Sequence, residues 1–277
     1  MANIKIDFKN GKAKTDTNLC DYKNELDGHY SSTLFGERIS YSFLGNWSMC
    51  PAGAYFGLLY PPKKFWFFSV GQAVHKMLEN TFNKVPFTDQ DILENELKGY
   101  EEYLPKAKEY FQSYFSIEDT PRDKAEFLTE YKIKDELTIC GQTIGIKGFV
   151  DRIDKYDNKV RVIDYKTASK PITKLTDGHK EQLIMYKMGV EHQMNTKVDE
   201  LAIIGLTSNR ATVLPYTPSL SDEASFKKKL MRVDEQLKDS ISNGSFDFCP
   251  NWRCKSCPLY TSCKNREEVE IECKACS

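Results

Sequence analysis

The sequence predicts an α/β fold with flanking helices, and three observations lead there. Before residue 118, apolar residues recur at helical spacing. Between residues 127 and 165 the pattern changes to short alternating or β-branched runs separated by turn residues. A helix, two further strands and a long charged helix then follow.

Taken in order, residues 1–38 are polar and rich in Lys and Asp, and are expected to form a loosely held extension. Residues 39–277 are expected to form one domain, with a helical part (39–118), an α/β core (119–217) and a C-terminal helix and cysteine segment (218–277). From Ser40, a suitable N-cap, the text reads as a helix ending near Pro61–Pro62. Apolar residues at 70, 74, 77, 78 and 82 predict a helix over Ser69–Phe82. Asp91–Phe115 predicts another, broken near Pro105. Phe127–Ile133, Gln142–Ile153 and Val160–Tyr165 predict an antiparallel meander turning at Cys140–Gly141 and Asp157–Asn158. A helix over Asp177–His192, strands over Leu201–Leu206 and Ala211–Pro215, and a helix over Ser221–Ser242 complete the chain.

The 277 residues are enough to bury a substantial core, and 40% hydrophobic with 12% aromatic residues fits an ordinary globular chain. A net charge of −1 gives no global basic field of the kind nucleic-acid binders often carry. A pocket lined by carboxylates would offset basic residues elsewhere, so this balance does not exclude one. Apolar stretches such as Phe65–Val70 are too short to span a bilayer, and residues 1–20 have no signal-like apolar core. A cytoplasmic protein without membrane contact is expected. There is no G-x-x-x-x-G-K-[ST] phosphate loop and no H-E-x-x-H helix, which excludes a P-loop motor and a zinc protease of that type.

Residues 148–171, GFVDRIDKYDNKVRVIDYKTASKP, carry the clearest chemistry. On a strand, Asp164 and Lys166 point to one face and Tyr165 to the other. A tight turn at 156–159 makes the preceding strand a neighbour, which would bring Asp151 beside Asp164. Two carboxylates on adjacent strands can hold a hard divalent cation, and a nearby lysine can orient water or stabilise charge on a phosphate. The plainer possibility is a set of exposed cross-strand ion pairs. Against it, Asp164 ends the largely apolar run Val160–Ile163, where an unpaired charge is costly unless it serves a site.

The nine cysteines are placed unevenly: Cys20, Cys50 and Cys140 are scattered, while Cys249, Cys254, Cys257, Cys263, Cys273 and Cys276 crowd the C-terminal end. Cys254-x2-Cys257-x5-Cys263 is a compact metal-type spacing that needs a fourth ligand from elsewhere. Zinc, an iron–sulfur cluster and free thiols are all compatible with it. Cys249, Cys273 or Cys276 could substitute as ligands.

Taken together, these motifs resemble the RecB-like branch of the PD-(D/E)XK nucleases, which includes the RecBCD and AddAB nuclease domains and the CRISPR-adaptation nucleases. Gly-x-x-Asp-Arg-Ile-Asp matches residues 148–154 and Asp-Tyr-Lys-Thr matches 164–167. An upstream Gly-x-x-x-His matches Gly71–His75, and a downstream Gln-x-x-x-Tyr matches Gln182–Tyr186. The resemblance implies a restriction-endonuclease-like mixed central sheet flanked by helices, with helical N- and C-terminal parts joined at a metal cluster. It implies Mg²⁺ or Mn²⁺ held by His75, Asp151, Asp164 and the Tyr165 carbonyl, with Lys166 activating water. Gln182 and Tyr186 would shape the rim or meet the DNA backbone. Read alone, His75 is a helix residue beside an apolar face, Gln182 and Tyr186 are neighbours one turn apart, and Asp154 is either an acid supporting the site from behind or, more simply, a turn-flanking surface acid. The resemblance also pairs Cys50, followed by Pro51, with Cys254, Cys257 and Cys263 as ligands of a 4Fe–4S cluster. Closing so long a loop would stabilise the fold by on the order of 5 kcal/mol at most.

The expected function is metal-dependent DNA hydrolysis, from ends or on single strands, in recombination, repair or DNA processing. The alternatives are a catalytically silent DNA-end-binding module and a zinc-stabilised interaction protein. Candidate phosphate contacts are Lys63–Lys64 beside Phe65, Trp66 and Phe67, together with Lys170 and Lys227–Lys229; the aromatic group could stack bases.

Overall fold

The structure, a computed structural model, describes residues 3–17, 31–60, 65–117 and 124–272. Its elements in chain order begin with β1 (Asn3–Lys9), β2 (Lys12–Lys14), α1 (Ser31–Leu34), β3 (Ile39–Ser40), α2 (Tyr41–Met49) and α3 (Pro51–Phe56). There follow α4 (Trp66–Phe82), α5 (Asp89–Asn95), α6 (Leu104–Ser113), β4 (Glu126–Ile139), β5 (Gln142–Tyr156) and β6 (Lys159–Thr167). The remainder is α7 (Asp177–Met194), β7 (Glu200–Leu206), β8 (Ala211–Tyr216), α8 (Leu220–Asn243), β9 (Ser245–Asp247), α9 (Tyr260–Asn265) and β10 (Val269–Glu272). The chain divides into two compact units: residues 1–62, 136–147 and 224–277, and residues 63–135 and 148–223.

The first unit contains an antiparallel sheet in the order β10-β1-β2-β9. Ile4, Ile6 and Phe8 alternate inward along β1 and are fully buried or nearly so, as a two-residue period requires. Residues 3–14, expected to be loosely held, are therefore sheet strands. In α2, Ser40 is the N-cap and its Oγ accepts from the Phe43 N–H at 3.2 Å. The expected single helix breaks at Cys50–Pro51: Cys50 is extended, with φ −163° and ψ 102°, and Pro51 opens α3, where its missing N–H costs nothing. Phe246 on β9 stacks on Tyr55 at 4.2 Å and closes the apolar centre.

In the second unit β5 and β6 are antiparallel, β6 and β7 parallel, and β7 and β8 antiparallel, with β4 beside β5. The parallel step follows from the α7 crossover. A capping box at Thr176 starts α7, and Asn195 ends it in the left-handed conformation. Val70, Ala73, Val74, Met77 and Leu78 of α4 share a core with Ile163, Tyr165, Ile204 and Leu206, each large buried side chain contributing roughly 1.5–3 kcal/mol. The expected long helix over 91–115 is instead α5 and α6 with a short 3-10 turn before α6. Pro105 sits in the first turn of α6, so it starts that helix rather than breaking it. The fold is thus mixed α/β, with a central mixed sheet flanked by helices.

Candidate active site

The β5–β6 ladder runs from Tyr156–Lys159 back to Arg152–Ile163. One step further, where the strands part, stand Asp151 and Asp164. Asp151 Oδ2 takes the place of a ladder carbonyl and accepts from the Tyr165 N–H at 2.7 Å. Its other oxygen, Oδ1, meets Nδ1 of His75 on α4 at 3.3 Å. Asp164 is 2% exposed at its side chain, and its Oδ2 is ion-paired to the Lys166 ammonium at 2.6 Å.

Glu130, on β4, completes the group. Ligand atoms of His75, Glu130 and Asp151 all lie within 4.8 Å of one another. Glu130 was not singled out by motif or pattern. It carries a φ of 47°, which interrupts the regular alternation of β4. The three residues, with Tyr165 and Lys166, line a cavity of about 810 Å³. Among the described residues, Asp164, Gln182 and Tyr186 are not on its wall. Gln182 Nε2 donates to the Tyr186 hydroxyl at 2.9 Å, so these two bond each other.

The electrostatics are those of crowded, half-compensated acids. Burial pushes the Glu130 carboxyl up, Asp151 adds repulsion, and the group stands at about 7. Burial and Asp151 also raise Asp164, to about 6, although Lys166 opposes them. Asp151 goes the other way: burial alone would raise it, but His75, Lys166 and the Tyr165 N–H hold it below the usual carboxylate range. Burial lowers His75, yet Asp151 overcomes this and lifts the imidazole to about 9. The Lys166 amine is likewise penalised by burial and more than restored by Asp164 and Asp151, so it stays charged. Two acids and an imidazole with ligand atoms within 4.8 Å of one another, beside a third, buried acid paired to Lys166, fit a hard cation.

Behind Asp151 lies a buried network. Arg152 and Asp154 are both 0% exposed. Arg152 Nε and Nη2 donate to Asp154 at 2.7 and 3.0 Å, and Nη1 donates to the Tyr114 and Tyr165 hydroxyls at 2.8 Å. The guanidinium also lies 4.2 Å from the Phe82 ring centre. Asp154 is therefore not the surface acid its turn-flanking position suggested. Its partner sits two residues away on the same strand face, a pairing that the Arg-x-Asp spacing permits.

In the first unit, Cys50, Cys249, Cys254, Cys257 and Cys263 line one small cavity. Cys50 Sγ accepts from the Gly53 N–H at 3.4 Å and the Cys249 N–H at 3.5 Å, and Cys254 Sγ accepts from the Asn251 N–H at 3.1 Å. A Cβ on Gly53 would lie 3.3 Å from Cys50 Sγ and 3.8 Å from Cys257 Sγ, so the helix start hugs the sulfurs. Burial pushes the Cys263 thiol up to about 11, with Cys50, Cys254 and Cys257 adding to the shift. Such a donor set suits a soft metal that would drive deprotonation on binding. Cys249 joins the four expected sulfurs at the same wall. Cys20, Cys273 and Cys276 lie outside the described residues.

Lys63 and Lys64 also lie outside them. Phe65, Trp66 and Phe67 belong to the second unit, as does Lys170, exposed after β6. Lys227–Lys229 lie on α8 in the first unit.

The site is thus an acid and a lysine two residues apart on one strand, set against a second acid on the neighbouring strand of a mixed sheet. The chain belongs to the PD-(D/E)XK nuclease superfamily, whose model matches residues 38–264. Its fold is similar to a crystal structure of a Eubacterium rectale protein described as a candidate exonuclease: TM-score 0.56, 14% identity, 88% of this chain and 93% of that one covered. A second solved structure, SSO0001, aligns at TM-score 0.42 and 21% identity over 90% of this chain and 97% of that one, too slight a likeness to show a shared fold. No curated protein matches the chain. Among the described residues, no helix is long and apolar enough to cross a membrane.

Proposed function

We propose that this nuclease is a divalent-metal-dependent DNA exonuclease acting in recombination, repair or DNA processing. The observation that carries the reading is the convergence of His75, Glu130, Asp151 and Lys166 on one cavity beside the buried Asp164. His75, Asp151, Asp164 and the Tyr165 carbonyl are the resemblance-derived ligands of Mg²⁺ or Mn²⁺, and Glu130 joins them on geometry. A bound cation would polarise a phosphoryl oxygen and lower the pKa of water. Lys166, kept charged by its two acidic neighbours, acts as a donor that orients the attacking water or meets charge growing on the phosphate. Asp151, anchored by the Tyr165 N–H, fixes the position of His75. Gln182 and the Tyr186 hydroxyl act as a unit at the DNA backbone. A DNA substrate is supported by the family and by the exonuclease description of the Eubacterium rectale structure.

Cys50, Cys254, Cys257 and Cys263 are assigned as ligands of a 4Fe–4S cluster that closes the first unit, with Cys249 beside them. This assignment rests on the resemblance and on the shared cavity. Anaerobically purified protein should contain stoichiometric iron and sulfide; stoichiometric zinc without visible absorbance would refute the cluster. The activity is tested with end-labelled linear and circular DNA in Mg²⁺ or Mn²⁺, with a chelator control. Cleavage of the linear form is expected, lost in chelator and in Lys166→Ala. Full activity in Lys166→Ala would refute this site.

A further inference from the structure

The sulfurs of the first unit come from two stretches of chain 199 residues apart, and neither Asn46–Cys50 nor Cys249–Cys254 belongs to a strand. No ladder register therefore holds Cys50 against Cys254, Cys257 and Cys263. Three hydrogen bonds cross between the stretches instead. The Cys249 N–H donates to Cys50 Sγ at 3.5 Å, Asn251 Nδ2 to the Met49 carbonyl at 3.3 Å, and Arg253 Nη1 to Asn46 Oδ1 at 2.7 Å.

Asn251 is the hub of this set. Its Nδ2 also donates to the Cys249 carbonyl at 2.8 Å, and its Oδ1 accepts from the Arg253 N–H at 2.9 Å, capping the 3-10 turn Trp252–Ser256. Its own N–H donates to Cys254 Sγ at 3.1 Å. The backbone does not call for asparagine: residue 251 is extended, with φ −152° and ψ 178°, as any residue can be. Capping does not call for it either, since Ser and Asp cap as well. What those two cannot supply is the amide NH₂, which here donates to carbonyls on both stretches.

Resting on the cysteine assignment above, though not on which soft metal the sulfurs hold, we propose that Asn251 is a positioning residue of the metal centre. Its amide clasps the Met49–Cys50 junction to the Cys249–Cys254 segment and so aims Cys50 at the other sulfurs. It does for Cys50 what an outer hydrogen-bond partner does for a ligating histidine. Without the clasp, part of the metal-binding free energy would go into ordering that junction.

The test uses full-length protein purified anaerobically with its metal bound. Metal release to excess chelator is timed below the melting temperature, and iodoacetamide labelling of each cysteine is followed by mass spectrometry. Asn251→Asp and Asn251→Ser both keep a cap oxygen and lose the clasp. Both should release metal about tenfold or more faster than wild type, and Cys50 should be labelled ahead of Cys254, Cys257 and Cys263. Wild-type release rates in both variants, with fast release only in Asn251→Ala, would make Asn251 a cap alone and overturn the proposal. Fast release in Asn251→Asp but not in Asn251→Ser would trace the effect to the added charge and overturn it too. So would labelling of all four cysteines in step, the sign of general loosening. Metal-bound wild type with unaltered variants refutes this inference alone. Wild type that binds no metal refutes the cysteine assignment and takes this inference with it.

Discussion

In the second unit, Asp151, Asp164 and Lys166 sit on two hydrogen-bonded strands joined by a tight turn; in the first, Cys50 at a helix junction meets a cysteine segment beginning 199 residues later. The two ligand-rich regions therefore depend on different things. Ladder register and a buried arginine network position the acids, and neither needs a metal. The sulfurs sit on a helix break, a short 3-10 turn and the six-residue α9, where few ladder bonds hold the backbone. On the proposed cluster assignment, local stability should accordingly be intrinsic at the acids of the second unit and dependent on bound metal at the cysteines of the first.

The sharpest contrast comes from removing one ligand at each place. Asp164→Ala should reduce kcat by on the order of 10³-fold or more, yet change the melting temperature little. Burial penalises the Asp164 carboxylate, whose pKa stands at about 6, while its loss strips the buried Lys166 ammonium of a partner at 2.6 Å, so the two effects oppose each other. On the proposed cluster assignment, Cys254→Ser should instead cost stability: iron is lost and unfolding free energy falls by up to about 5 kcal/mol, the loop-closure bound. Parallel kinetics, calorimetry and iron assays of the two variants decide the matter. Equal melting temperatures for Cys254→Ser and wild type would break the comparison.

The Arg152 network refines it. Arg152→Leu leaves Asp154 buried without its bidentate partner and should destabilise by about 3–5 kcal/mol, whereas Arg152→Leu/Asp154→Leu should recover much of that loss. Denaturant midpoints measure both. A small effect of the single substitution would mean that strand register, and not the buried pair, holds Asp151 and Tyr165 in place.

What could be read from the chain follows the same division. Asp151, Asp164 and Lys166 were legible because strand alternation and one short turn bring them together within sixteen positions of sequence. His75 needed the family resemblance, since nothing in a helical period marks a ligand. Glu130 was hidden because its φ of 47° breaks the alternation that a strand reading assumes. The inward period of Ile4, Ile6 and Phe8 was present in the text but masked by surrounding Lys and Asp. Its partner β10 lies at the other end of the chain, beyond any local pattern. Cys50 could be matched to its distant partners only by resemblance, and the extended Cys50 that aims its sulfur is a consequence of the Pro51 helix start.

The smallest expected effect tests the first unit apart from its cysteines. Lys147, near the start of β5, is partly buried beside Arg38 and donates to Ser32 Oγ at 3.0 Å. Burial first, and then Arg38, push its amine down from 10.5 to about 8. A base whose folded pKa is depressed binds fewer protons in the fold than in the unfolded chain, so stability rises with pH across the interval between the two values. Here that interval runs from about 8 to 10.5; below it the cost of keeping Lys147 charged is fully present. Lys147→Met should therefore melt slightly higher than wild type near pH 7, by about 1–2 °C after allowance for solvent screening. The gain should fade as pH rises through this interval and vanish above about 10.5, where the wild-type amine becomes neutral in both states. The difference between the two melting curves isolates this group from the thiols and tyrosines that titrate in the same range. A difference independent of pH would show that Lys147 keeps an ordinary pKa in the fold.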